Sequence, residues 1–143
     1  MRKALIAAGV AAASLVVAIA AGATTNATTK LEANLRGANE GAPASNRGKT
    51  EIRLTPATGR VCWETTIAKI DGKPNASHIH KGRRGVAGNV VVPLGAGYKR
   101  QGCTTAAKTL VRAIIRTPGA YYVNVHNAKH PAGAMRGQLT RGT

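Results

Sequence analysis

"KTEIRLTPATGRVCWETTIAKI", Lys49 to Ile70, decides what kind of fold this chain adopts. Its first part alternates: Ile52 and Leu54 fall on one side of an extended chain, Glu51 and Arg53 on the other. Successive side chains of a strand point to opposite faces, so this alternation describes a half-buried strand. "ATG", Ala57 to Gly59, makes a turn, and the second part alternates again, with Val61, Trp63, Thr65 and Ile67 on one face. Cys62 then lies on the opposite side of that strand or at a local bulge. Trp63, within the apolar set, belongs to the core.

Working outward, "KLEANLRG" (Lys30 to Gly37) alternates in the same way, and "ANEGAPASNRG" is a loop rich in Gly, Pro, Ser and Asn. After Ile70, "DGKPNA" is a turn, "SHIH" (Ser77 to His80) is extended, and "KGRRGVAG" is a glycine-spaced loop. "NVVVPLG" (Asn89 to Gly95) is apolar throughout, which predicts a strand buried on both faces. "AAKTLVRAIIRTP" breaks the pattern: Leu110, Val111 and Ile114 recur at helical spacing and Pro118 stops them, which predicts a short helix. "AYYVNVHN" and "AMRGQLTR" are strands again, joined by the turn "AKHPAG". About seven strands with one helical insertion predict an all-β fold, a Greek-key β-sandwich of immunoglobulin-like or superoxide-dismutase-like form.

The ends of the chain set its compartment. Arg2 and Lys3 precede an apolar run from Ala4 to about Ile19, and "AIAAGA" (Ala18 to Ala23) offers small residues in a signal-peptidase pattern. This predicts a signal peptide over residues 1–23, a flexible linker over 24–29 and one β-domain over 30–143. The competing reading of the run is an uncleaved membrane anchor, since it is long enough to span a bilayer; with cleavage after Ala23, no stable transmembrane segment remains. The expected location is secreted, periplasmic or cell envelope. An oxidising compartment makes a disulfide between Cys62 and Cys103 the simplest account of the two cysteines, with two buried thiols as the alternative.

The net charge is +16, and losing Arg2 and Lys3 with the signal leaves +14. A surface of that sign favours acidic extracellular polymers or proteins. The four aromatic residues, Trp63, Tyr98, Tyr121 and Tyr122, make a thin stacking platform, and export removes the opportunity, so nucleic acid is not the expected partner. No Ser-His-Asp set, reactive cysteine or pair of carboxylates is visible, which points away from hydrolytic and acid–base enzymes.

Four segments together resemble the CHRD domain, the module named after the extracellular growth-factor antagonist chordin: "LRGANEGAPA", "GRVCWETTIAKI", "ASHIHKGRRGVAGNVVVPL" and "YYVNVHNAKHPAGAMRGQL". The likeness runs from about Leu31 to Leu139. Its last segment carries the family's motif residues Tyr121, Tyr122, Asn124, His126, Pro131, Gly133, Arg136 and Gly137. The family has Val-Pro-Pro where this chain has Gly41-Ala42-Pro43, which implies a different entry loop. The resemblance implies a secreted, non-enzymatic binding module; a copper- or zinc-binding protein and a structural matrix protein are the alternatives.

All four histidines lie in the two most specific of these motifs. On a strand, His78 and His80 share a face, and with His126 they could chelate copper or zinc. Otherwise their rings hydrogen-bond carbonyls of the glycine loops and tie the two motifs together, or serve as a pH-sensitive or ligand-binding pair. The His-X-His pattern is also similar to that of copper–zinc superoxide dismutase, but the zinc-ligand aspartate of that enzyme has no counterpart here, so no cofactor is assigned. Gly82, Gly85 and Gly88, with Arg83 and Arg84 beside them, read as turn geometry or as an anion cradle. Arg136 is expected to meet a backbone carbonyl or Glu40.

Overall fold

The computed structural model describes residues 27–142; the expected signal segment and the start of the linker lie outside them. Among the described residues eight strands form: β1 (Thr29–Arg36), β2 (Arg47–Thr55), β3 (Arg60–Lys69), β4 (Pro74–Lys81), β5 (Val90–Pro93), β6 (Gln101–Thr105), β7 (Tyr121–Asn127) and β8 (Met135–Arg141), with one α-helix, α1 (Lys108–Arg116). Thr29, the last residue expected in the linker, is already paired with Leu54 in β2.

All pairings are antiparallel, in one sheet of order β5-β4-β7-β8-β1-β2-β3-β6. The first three strands follow one another as neighbours. The chain then crosses to β4 and β5, returns to β6 beside β3, and inserts β7 between β4 and β8 after α1. These crossings are of the Greek-key kind.

The sheet curls into a sandwich-like half-barrel around a single core. Val92 of β5 and Trp63 of β3, near opposite edges of the ladder, are buried in the same apolar cluster, together with Val111 and Ile114 of α1. The segment after β5 bridges the two ends: the Leu94 amide donates to Ser77, the Trp63 indole donates to Lys99 at 2.9 Å, and the Thr65 amide donates to Arg100. The alternation read in the sequence sets the inward face, where Ile52, Leu54, Val61 and Trp63 are all buried.

Two elements differ from their sequence reading. The apolar run "NVVVPLG" supplies an edge strand, β5, and is not covered on both sides: Val90 is 45% exposed while Val92 is buried. Pro93 fits such an edge because it has no N–H to give to a further strand. The eighth strand, β6, has no apolar alternation, only Gly102 and small polar residues, and is fixed by its partner β3. Within that pair Cys62 on the outer face sits directly opposite Cys103, with Cα atoms 4.0 Å apart, and the two form a disulfide. Closing a span of 41 residues stabilises the fold by about 4 kcal/mol through the lost freedom of the unfolded chain.

Candidate functional site

On β4 the residues alternate: Ser77 and Ile79 point into the core, while His78 and His80 point outward. β7 runs beside it with Tyr122 opposite His80, Asn124 opposite His78 and His126 opposite Ala76. His126 is therefore the diagonal neighbour of His78 on the same face, within reach of a ring. The rings of His78 and His126 have centroids 5.0 Å apart, and His80 lies 5.6 Å from His78 and 5.9 Å from His126. One ring nitrogen from each of the three falls within 4.8 Å of the other two.

The other nitrogens of two rings are tied down. His80 Nδ1 donates to the Gly88 carbonyl at 2.9 Å, and His126 Nδ1 donates to the Pro131 carbonyl at 3.0 Å. A carbonyl only accepts, so each of these rings carries a proton on Nδ1, and the neutral form of each keeps its lone pair on Nε2. His78 Nδ1 donates into the lone pair of His126 at 3.2 Å. His80 Nε2 is buried with no hydrogen-bond partner.

The outer face of β4, β7 and β8 is thus a polar layer, roofed by the glycine loop. His80 stacks on Tyr122, centroids 4.8 Å apart and 9° between planes, and the Arg136 guanidinium lies 3.3 Å from the Tyr122 ring centre. Arg136, 5% exposed, donates to the carbonyls of Arg83 and Val86, both at 2.9 Å, and faces Glu40 at 3.7 Å. Both partners foreseen for it are present. Gln138 donates to Gly82 and Gly119, and the Gly88 amide donates to the Tyr122 hydroxyl. The loop closes so tightly that a Cβ on Gly88 would collide with the Lys81 carbonyl, and Gly85 sits at φ +76°, which favours glycine. The amides of Gly82, Val86 and Gly88 are taken up by Ala120, Arg83 and Tyr122, and the Arg83 and Arg84 side chains are exposed.

The rest of the closing motif braces this layer. Tyr121 is buried in the core. Asn124 donates to Ala132. A Cβ on Gly133 would lie 2.7 Å from Asn124 Oδ1 and 2.8 Å from Glu40 Oε2, and one on Gly137 would strike the Asn34 carbonyl. Burial holds His78 and His80 below the usual histidine range; the neighbouring imidazoles push the same way, and Arg136 adds to this at His80, where the Gly88 carbonyl pulls back. Burial also pushes Glu40 up, against the pull of Arg136.

His130, the fourth histidine, is not part of the cluster. It pairs with Asp71, the single aspartate, at 3.0 Å. Asn46 and then His130 hold that carboxyl below its usual range. Asn46 also bonds Ala134, and Asn127 bonds the Asp71 carbonyl and the His130 amide, so this network locks two turns together. Sequence reasoning missed Asn46, Asn127 and Gln138; of these only Gln138 carried a signal, as a member of the "RGQL" run.

The domain is thus an antiparallel β-fold that carries a histidine, tyrosine and arginine layer under a glycine loop. Residues 31–139 match the CHRD domain, and the chain belongs to that family. No curated protein and no solved structure matches it significantly.

Proposed function

We propose that this CHRD-domain chain is an exported, non-enzymatic binding module whose basic surface holds anionic polymers outside the cell or in its envelope. One observation carries the reading: each of the five acidic side chains already faces a basic partner within the molecule. Glu32 and Glu51 share Lys30 and Lys49, Glu64 meets Arg100, Asp71 meets His130, and Glu40 meets Arg136. Nothing acidic is left to offset the surplus of lysine and arginine, so the counter-charge comes from outside.

The surplus has a local shape on α1. Lys108, Arg112 and Arg116 are exposed and recur every fourth residue, while Val111 and Ile114 face the core. Like charges at that spacing raise one another's energy, and a polyanion lying along the helix relieves it. Arg83 and Arg84 on the glycine loop add a second exposed pair. The disulfide, the family and the expected signal peptide support an extracellular setting. Among the described residues no helix is long and apolar enough to cross a membrane.

Retention on immobilised dextran sulfate tests the proposal. Binding is expected at low salt and falls steeply as the Debye length shrinks from about 10 Å at 0.1 M to about 3 Å at 1 M. The K108Q/R112Q/R116Q variant is expected to elute at lower salt. Salt-independent retention, or none at low salt, overturns the reading; the latter leaves the structural matrix role standing.

A further inference from the structure

The histidine cluster asks for an explanation that the basic surface does not give. A role confined to tying the loops together accounts for two nitrogens, His80 Nδ1 on Gly88 and His126 Nδ1 on Pro131. It leaves His80 Nε2 buried and unpartnered, which is unfavourable for a nitrogen that could otherwise bond water.

We propose that His78, His80 and His126 form a three-imidazole site for one zinc or copper(II) ion, with His80 and His126 binding through Nε2 and His78 through Nδ1. Tetrahedral coordination at the usual zinc–imidazole distance puts ligand nitrogens about 3.3 Å apart. His78 Nδ1 and His126 Nε2 already stand 3.2 Å apart, and one ring nitrogen of each of the three histidines lies within 4.8 Å of the other two. Small rotations of the rings close the remaining gap.

Three further features fit. Metal-binding imidazoles commonly donate their second N–H to a carbonyl, which fixes the tautomer and aims the lone pair; His80 and His126 both do so. Stacking on Tyr122 fixes the plane of the His80 ring. The nearby cation, Arg136, is held by Glu40 and two carbonyls. The donor set is neutral imidazole without carboxylate, which suits zinc and copper and disfavours magnesium and calcium. On binding, His78 exchanges its Nδ1 proton for one on Nε2, and the metal takes the position of the hydrogen bond to His126. Three protein ligands leave a further coordination position for water or an anion.

The test uses the mature chain stripped of metal, titrated by calorimetry with zinc, copper(II) and magnesium in turn. Metal content is measured after desalting. One zinc or copper(II) ion per chain is expected, with no magnesium uptake, and nitrogen hyperfine structure in the copper resonance spectrum. His78→Gln, His80→Gln and His126→Gln are each expected to weaken binding at least 100-fold. Near-ultraviolet dichroism of Trp63 and the tyrosines verifies that each variant is folded. His78→Gln leaves both loop carbonyl bonds in place and keeps the proposal testable if the other two unfold. Substoichiometric metal after loading with both ions, or affinity unchanged in folded His78→Gln, overturns the proposal. The salt dependence of polyanion retention concerns different residues, so the two ideas stand or fall separately.

Discussion

The two halves of the sheet share one core but wear different outer faces. Over β4, β7 and β8 the outward side chains are roofed by the glycine loop, and His80, Tyr122, Asn124 and Arg136 are buried. Over β1 and β2 the outward side chains are more open to water, and Lys30, Glu32, Lys49 and Glu51 make a four-membered ladder of ion pairs between 3.0 and 3.6 Å. Both faces are polar, and the difference is access to water. A buried polar group that loses its partner bears the full cost of desolvation, whereas an exposed one turns to solvent. The same chemistry is thus structural and site-forming on one half, and replaceable on the other.

The sharpest way to break this contrast is Arg136→Ala. It removes two carbonyl bonds to the loop and the contact with Tyr122, and it leaves the buried Oε1 of partly buried Glu40 without its cation. Removing one partner of a buried pair costs about 3–5 kcal/mol, and urea denaturation is expected to show a loss of that size. Arg136→Lys is expected to recover only part of it, because a lysine cannot bridge two carbonyls and stack as a planar guanidinium does. A loss within the range of ordinary surface substitutions would mean that the glycine loop is not held by Arg136.

How much of this was legible in the sequence follows the same division. Strands with one wet and one dry face announce themselves by period-two alternation, as Lys49 to Ile70 does. β6 does not, because its place is decided by Cys62 and Trp63 across the ladder and not by its own side chains. The run before Leu94 misled because hydrophobicity alone does not separate an edge strand from a central one. The shared face of His78 and His80 is a property of strand geometry and could be read directly. That His126 joins them depends on the register of β4 against β7, and the Asn46–Asp71–His130 lock depends on two turns meeting. Neither is a local property of the chain.

A smaller effect tests whether the partly desolvated His78 and buried His80 are neutral. The folded-state values of His78 and His80 lie below the ordinary histidine value, so the unfolded chain binds more protons as pH falls. Stability attributable to these rings is complete above about pH 6.5 and is lost progressively as pH drops from there through their folded values. Glu40 acts in the opposite sense, since its raised value favours the folded state on acidification. The histidine part is isolated by comparing the metal-free wild type with His78→Gln by urea denaturation between about pH 7.5 and 5. The variant is expected to lose less stability over that range, and an identical slope would count against neutral, desolvated rings.

The smallest effect belongs to the wet face. Glu32 and Glu51 sit directly opposite in the β1–β2 register, where like charges repel, and Lys30 and Lys49 each reach both carboxylates. Lys49 holds the Glu32 carboxyl below its usual range, and Glu32 in turn holds the Lys49 ammonium above its own. Those shifts show that the charges sense one another, but the lysine side chains are nearly half exposed, and pairs open to solvent contribute little once side-chain entropy and screening are included. Lys49→Met is therefore expected to shift the thermal midpoint only slightly at low salt, and by no more than replicate scatter at about 0.5 M salt, where the pair is screened. Glu32 keeps Lys30 as a partner in the variant, which further limits the change. A large, salt-independent loss would mean that this ladder is shielded from water as the Arg136 layer is, and the contrast between the two faces would fail.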